Sequence, residues 1–174
     1  RHGRRAARWC PGGSRRACRG SCRRLYYLVS ARDPELQLRP FLSPRPGLHS
    51  GYMIVQYTAA AMCNELIGLA TPASVSNIPT CAGMEDYNSF GPRAAAKAAR
   101  AIDLTRRVLA CELLCAAQGI DAHRPLRSGE GVEALVASVR ERVEPLDADR
   151  PPSPDLDAVT DLLRDPETTT RFSV

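Results

Sequence analysis

Residues 50–69 carry apolar side chains around almost the whole circumference of a predicted α-helix, and this limits the folds open to the chain. A helix that is apolar on every side lies inside a bundle, because a helix that faces water keeps one polar side. At 1.5 Å per residue this helix is roughly 30 Å long. Its apolar positions are Tyr52, Ile54, Val55, Tyr57, Ala59, Met62, Leu66 and Leu69.

A second long helix is predicted over residues 92–119. Pro92 suits the first turn of a helix, and Gly119 suits the position that caps its C-terminus. A helix of this length is unusual in a small globular domain and indicates a large helical bundle. Its inward side chains recur at steps of three and four residues, at Ala98, Ile102, Thr105, Leu109, Leu113 and Ala116.

Two shorter helices follow. Ser128 is placed to cap a third helix, and Ser153 and Pro154 open a fourth. We predict a frayed polar tail over residues 166–174. The fold class is therefore all-α, as part of a long central helical bundle. The inward side chains of the two shorter helices are Val132, Leu135, Val136, Val139 and Val143, and then Leu156, Val159, Leu162 and Leu163.

The positive charge is concentrated at the start of the chain. The net charge is +5, but residues 1–32 contain ten Arg and neither Asp nor Glu, so the rest of the chain is acidic. We interpret residues 1–22 as a disordered basic arm, because they show no apolar periodicity. Such an arm, with Trp9 available for stacking, would suit nucleic acid.

Translation in the wrong reading frame is the alternative origin of residues 1–22, and we favour it. The chain has 23 Arg and one Lys, as GC-rich coding sequence gives. GC-rich sequence read out of frame is also rich in Arg, Ala, Gly, Pro and Cys. We therefore expect no nucleic-acid partner.

The cysteines and histidines do not form a recognisable metal motif. None of the seven Cys lies in a CxxC pair, and the three His are far apart in the sequence. Cys111 and Cys115 are one turn apart, and we interpret them as buried thiols, because Cys is among the most buried residue types. We expect no metal, no disulfide framework and a cytoplasmic location.

A membrane partner is not expected either. The longest apolar stretch, residues 52–70, contains Gln56, Asn64 and Glu65, which favours a buried helix over a membrane span.

Four blocks of sequence resemble one known family. They are GLHSGYMIVQYTAAAMCNE at 47–65, ATPASVSNIPT at 70–80, MEDYNSFGP at 84–92 and VLACELLCAAQGID at 108–121. In order and spacing they resemble the aromatic amino-acid ammonia-lyases, above all the histidine type. The resemblance extends over about residues 23–165.

The resemblance implies elimination of ammonia from an aromatic amino acid, giving the α,β-unsaturated acid. The family uses an electrophile, 4-methylidene-imidazol-5-one, made from an Ala-Ser-Gly tripeptide of its own chain. That tripeptide does not occur in residues 1–174, where Ala73-Ser74-Val75 comes nearest. We therefore expect a C-terminal fragment that holds no cofactor and is inactive alone. The family also implies a homotetramer with active sites shared between subunits, so the isolated chain should expose apolar faces and aggregate.

Glu85 is the residue for which the resemblance implies contact with the substrate. It matches a Glu of the histidine enzymes, where the phenylalanine and tyrosine enzymes usually have Gln. A carboxylate suits an imidazole or an ammonium group. The alternative interpretation is a solvated loop carboxylate near the start of a helix.

Two other functions stay open. Met84, Tyr87 and Asn88 depart from the histidine pattern, so a phenylalanine or tyrosine lyase or an aminomutase is possible. A non-catalytic helical interaction protein with a basic nucleic-acid-binding arm is the second alternative.

Structural roles are expected for the remaining polar residues of these blocks. Asp86 and Ser89 should cap or brace the next helix, and His49 should cap the helix that it precedes. We expect Gln118 to satisfy polar groups between helices. Tyr52 and Tyr57 should both be core residues with hydrogen-bonded hydroxyls.

Overall fold

The computed structural model describes residues 11–30, 35, 37–75 and 77–171, and this part of the chain is all-α. It contains six α-helices and no β-strand. The prediction of an all-α fold is confirmed. The helices are α1 Pro11–Ser30, α2 Met53–Leu69, α3 Gly91–Ala122, α4 Glu130–Arg140, α5 Ser153–Leu162 and α6 Pro166–Arg171.

The long helix α3 is the centre of the fold. It contacts α1, α2, α4 and α5, so the core surrounds its C-terminal half. Its small side chains let the neighbouring helices come close: Ala110, Cys111, Cys115 and Ala117 are all fully buried. The other helices cover them with larger residues, among them Leu25, Val29, Val55, Ala59, Val139 and Val159.

Helix α2 is covered on one side only. Val55, Ala59 and Leu66 are buried against α1 and α3. On the opposite side Ile54, Tyr57 and Ile67 are 50%, 64% and 52% exposed. We expected an apolar helix inside a bundle, but the described residues supply neighbours for only one face.

Residues 11–22 correct the prediction of disorder, because they belong to α1. The helix is anchored by its second half, where Ser21, Leu25 and Val29 lie one turn apart on a single buried face. Once that face is packed, each further helical residue adds a backbone hydrogen bond at little cost. Arg24 also forms an ion pair with Glu112 of α3. The remainder of the predicted arm, residues 1–10 with Trp9, lies outside the described residues.

The predicted limits of α3 are right at one end and wrong at the other. Pro92 lies in its first turn as expected. Gly119 is not a C-terminal cap, because the helix continues to Ala122 and Gly119 is buried inside it. A Cβ at this position would lie 3.8 Å from Leu38 and 4.0 Å from Leu28, so neighbouring side chains already pack around the glycine.

The N-cap position of α4 is Gly129, one residue later than the cap predicted at Ser128. Gly129 precedes the helix and makes no side-chain cap. The carboxylate of Glu133 reaches back instead and accepts a hydrogen bond of 2.8 Å from the Ser128 backbone N–H.

The segment predicted as a frayed tail contains a short helix, α6. Asp165 stabilises its start by accepting hydrogen bonds from the Glu167 backbone N–H at 3.1 Å and the Thr168 hydroxyl at 2.8 Å. These two donors lower the pKa of Asp165, with the hydroxyl contributing most. Residues 172–174 lie outside the described residues. The start of α5 at Ser153 agrees with the prediction.

No helix in the described part of the chain has both the length and the apolar character needed to cross a membrane.

Candidate active site

Glu85 lies in the connection between α2 and α3, which folds back on itself. The side-chain amide of Asn77 forms two hydrogen bonds with the backbone of Asn88. Its Oδ1 accepts from the Asn88 N–H at 3.0 Å, and its Nδ2 donates to the Asn88 carbonyl at 3.2 Å. The Asn88 side chain then donates to the Ile78 carbonyl at 2.7 Å. These bonds close the base of the loop, so residues 78–87 form a defined turn.

Within that turn, Glu85 pairs with Thr80. The Thr80 N–H donates to the Glu85 carbonyl at 2.7 Å, and the Glu85 N–H donates to the Thr80 carbonyl at 3.2 Å. The Thr80 hydroxyl adds a hydrogen bond of 3.2 Å to the Glu85 carboxylate. Both the backbone and the side chain of Glu85 are therefore positioned by one residue.

The turn that closes this pair is strained. Cys81, Ala82 and Gly83 have φ values of 54°, 53° and 86°. Residues other than glycine pay on the order of 1–2 kcal/mol for a left-handed conformation. Backbone strain of this kind is often found at functional sites.

The side chains at the tip of the turn face solvent. Glu85 is exposed, and its neighbours Met84 and Tyr87 are 84% and 75% exposed. A carboxylate can accept about four hydrogen bonds, and the Thr80 hydroxyl supplies one of them. The turn thus exposes a carboxylate, a thioether and a phenol to solvent.

An apolar cleft of about 170 Å³ lies below the loop, between the end of α2 and the start of α3. Leu66, Leu69 and Ala101 contribute to its wall, and Lys97 donates a hydrogen bond across it to the Thr71 carbonyl. Glu85 does not line this cleft. The single lysine of the chain therefore fastens the start of the loop to α3.

Asp149 holds the turn that precedes α2, whereas α2 itself has no side-chain cap, so the prediction that His49 caps it is wrong. The Asp149 carboxylate accepts hydrogen bonds from the backbone N–H groups of Ser50 at 2.8 Å and Gly51 at 2.9 Å. These two bonds lower the pKa of Asp149. His49 accepts a hydrogen bond of 3.1 Å from the Asp149 N–H through Nδ1, so it helps to position Asp149. No local sequence signal marks Asp149, because it is 98 residues from Gly51.

The predictions for four other side chains are partly right and partly wrong. Tyr52 is buried, but its hydroxyl has no hydrogen-bond partner among the described residues, and burial raises its pKa. Tyr57 is 64% exposed, so the prediction of a core position is wrong. Asp86 and Ser89 do not cap α3, whose first turn follows a left-handed Phe90 and has no side-chain cap.

Gln118 has the role that we predicted. Its Oε1 accepts from the Leu146 N–H at 3.0 Å and from Arg140 at 3.2 Å. Its Nε2 donates to the Leu146 carbonyl at 3.3 Å. The amide thereby joins α3 to the segment that follows α4.

Cys111 and Cys115 are fully buried in α3, as expected of core thiols. Burial raises the pKa of Cys111 to about 12 and raises that of Cys115 as well. Among the described residues, His, Cys, Asp and Glu form no group of three or more that could hold a metal ion.

Comparison with known proteins identifies the family. The model of the aromatic amino acid lyase family matches residues 16–141. The chain belongs to this family. The match begins inside residues 1–22, for which we expected no family counterpart, and it agrees with the helical structure of α1.

Curated relatives of this chain include several histidine ammonia-lyases. The enzyme of Symbiobacterium thermophilum is 47% identical over 146 residues, which are 83% of this chain and 28% of the relative. The enzyme of Gloeobacter violaceus is 45% identical over 82% of this chain and 28% of its own length. The chain therefore spans little more than a quarter of these relatives.

Solved structures of the family share the fold. Histidine ammonia-lyase from Trypanosoma cruzi has a TM-score of 0.85 and 38% identity, over 93% of this chain and 32% of its own. Tyrosine aminomutase from Streptomyces globisporus has a TM-score of 0.84 and 29% identity, over 92% of this chain and 31% of its own.

No Ala-Ser-Gly tripeptide occurs in residues 1–174. The nearest tripeptide, Ala73–Val75, forms a short 3-10 turn and ends in a valine that is 69% exposed. It lacks the glycine of the Ala-Ser-Gly precursor. We therefore assign no step of a reaction in residues 1–174 to the electrophile associated with the family.

Proposed function

We propose that this chain is the C-terminal part of an ammonia-lyase that eliminates ammonia from histidine or a related aromatic amino acid. The observation that carries the proposal is the position of Glu85, which a strained turn holds and exposes. The 47% identity to a histidine ammonia-lyase supports the histidine substrate.

Glu85 contacts the substrate in this proposal. Its carboxylate accepts a hydrogen bond from an imidazole N–H or from the ammonium group. Hydrogen bonds with a charged partner are about twice as strong as neutral ones. Because Thr80 fixes one carboxylate oxygen at 3.2 Å, less side-chain freedom is lost when the substrate binds.

The rest of the active site comes from outside residues 1–174. We propose that the complete enzyme is a cytoplasmic homotetramer that carries 4-methylidene-imidazol-5-one. Its other segments cover the exposed side of α2, where Ile54, Tyr57 and Ile67 lie. Residues 1–174 alone have no lyase activity in this proposal, because they do not supply the electrophile.

A sibling activity is the second candidate. The structural likeness to a tyrosine aminomutase favours it, with a TM-score of 0.84. Asn88 also favours the sibling activity, because the sequence departs from the histidine pattern at this position. Its backbone N–H binds the Asn77 side chain and so holds the loop. The substrate is then a phenylalanine or tyrosine, which is deaminated or has its amino group moved.

A hybrid enzyme distinguishes these activities. Residues 23–165 replace the matching segment of the Symbiobacterium thermophilum relative, and turnover of histidine, phenylalanine and tyrosine is measured. We expect the hybrid to form urocanate from histidine, and residues 1–174 alone to form no product from any of the three. Faster turnover of tyrosine or phenylalanine than of histidine would favour the sibling activity. Turnover by residues 1–174 alone would contradict the proposal.

A further inference from the structure

Two cysteines meet between α1 and α2. The Sγ atoms of Cys22 and Cys63 are 3.0 Å apart, although the residues are 41 positions apart in the sequence. The sulfurs of a disulfide are about 2.05 Å apart. A relative movement of about 1 Å would therefore bring the two atoms to bonding distance.

The surroundings of this pair differ from those of the other described thiols. Cys22 and Cys63 are half-buried at the edge of the core, and Cys22 also contacts the Ala59 carbonyl at 3.8 Å. Cys111 and Cys115 are fully buried, and burial raises the pKa of both. A thiol reacts as its thiolate, so these two are protected from exchange. Cys22 and Cys63 are thus close to each other and partly accessible to reagents in solution.

We propose that Cys22 and Cys63 form a redox modification site, at which a reversible disulfide joins α1 to α2. The oxidant is a small disulfide such as oxidised glutathione. This inference stands on the contact between the two helices and does not depend on the proposed lyase activity.

The reaction takes place in two exchanges. The thiolate of one cysteine attacks a sulfur of the small disulfide, which forms a mixed disulfide and releases one small thiol. The thiolate of the other cysteine then attacks the protein sulfur of the mixed disulfide and releases the second small thiol. The two protein thiols lose two electrons and two protons in total. The small disulfide gains both and becomes two thiols.

The disulfide would attach the C-terminal half of α2 to α1. Cys63 lies near the C-terminal end of α2, which leads into that loop after Leu69. A disulfide fixes this end of α2 to α1 and closes a covalent loop between residues 41 positions apart. Closing a loop of about 40 residues in the unfolded chain raises the melting temperature by about 10 °C for a domain of this size.

The experiment maps the first disulfide that forms in the full chain. Cys10 and Cys18 lie where side chains are not described, so both are replaced by serine, with Cys81→Ser as a third change. The folded protein, checked by circular dichroism, is titrated with oxidised glutathione. Peptides are then analysed without reduction by mass spectrometry. A parallel sample is oxidised in concentrated urea.

We expect a peptide that links Cys22 to Cys63, two thiols fewer per chain, and a melting temperature about 10 °C higher. In urea the selectivity should disappear, since the pairing depends on the folded contact. The variants Cys22→Ala and Cys63→Ala should each prevent the link. A folded chain that instead links Cys22 to Cys111, or that stops at mixed disulfides with glutathione, would overturn the proposal.

Discussion

Thr80 and Glu85 face each other as an isolated antiparallel pair, joined by two backbone hydrogen bonds and one from the Thr80 hydroxyl to the Glu85 carboxylate. The pair fixes Glu85 on the surface of the loop between the two long helices.

Asn77→Ala should loosen the loop without unfolding the helices. The change removes the two hydrogen bonds between the Asn77 amide and the Asn88 backbone. We expect faster amide hydrogen exchange in residues 78–90, with exchange in α1 and α3 unchanged. Asn64→Ala, on the exposed surface of α2, serves as the control. Equal exchange in the two variants would show that the amide does not hold the loop.

Two glycines should respond to alanine in opposite directions. Gly119→Ala should stabilise the chain by about 0.5–1 kcal/mol, because alanine favours a helix and the new Cβ makes only ordinary contacts. Gly51→Ala should destabilise it, because Gly51 has a φ of 55° and its Cβ would clash with the Phe41 carbonyl oxygen. Urea denaturation measures both effects. A loss of stability in Gly119→Ala would show that the helices around α3 are packed more tightly than the structure indicates.

Asp149→Asn should weaken the chain at neutral pH and have little effect in acid. The Ser50 and Gly51 N–H groups lower the folded pKa of Asp149 below its unfolded value. The stabilisation is therefore complete above the unfolded pKa, near 3.9, and is lost as the pH falls through the folded pKa. Urea midpoints at several pH values between 7 and 2 measure the difference. Asp147→Asn is the control, and a difference from wild type that did not depend on pH would contradict this role of the Asp149 carboxylate.

Replacing the exposed apolar side of α2 should make residues 1–174 more soluble. The triple variant Ile54→Gln, Tyr57→Gln and Ile67→Gln removes three side chains that are 50–64% exposed. We expect the unmodified chain to aggregate through this surface. Light scattering at increasing concentration measures the difference, with Ala60→Gln as the control. If the triple variant aggregates as the parent does, another surface is responsible.

The sequence predicted the helices whose apolar residues recur regularly. Residues 92–119 and 153–163 have that pattern, and α3 and α5 were found there. Residues 11–22 of α1 were missed because only the second half of the helix has large buried apolar side chains, Leu25 and Val29. Arginines outnumber apolar residues in the first half. Charge alone was therefore a poor guide to disorder, because the packing of the second half of α1 also stabilises its first half.

Contacts between distant residues could not be predicted. Asp149 binds the turn before α2 from about 100 residues away, and Gly119 is surrounded by leucines from two other segments. Neither contact has a local signal. For the candidate site, the sequence singled out Glu85, whereas Asn77 and Thr80, which hold its loop, were missed because their hydrogen bonds appear only after the turn has folded.

Whether Glu85 contacts the substrate is tested most directly by the ratio of histidine to tyrosine turnover in the hybrid enzyme carrying Glu85→Gln. If the carboxylate contacts the substrate, kcat/KM for histidine should fall by about 10- to 100-fold, as expected for loss of a charged hydrogen bond. Turnover of tyrosine should fall less. Glu144→Gln, an exposed loop carboxylate after α4, should change neither value. Wild-type kcat/KM for histidine in Glu85→Gln would contradict the claim that Glu85 contacts the substrate.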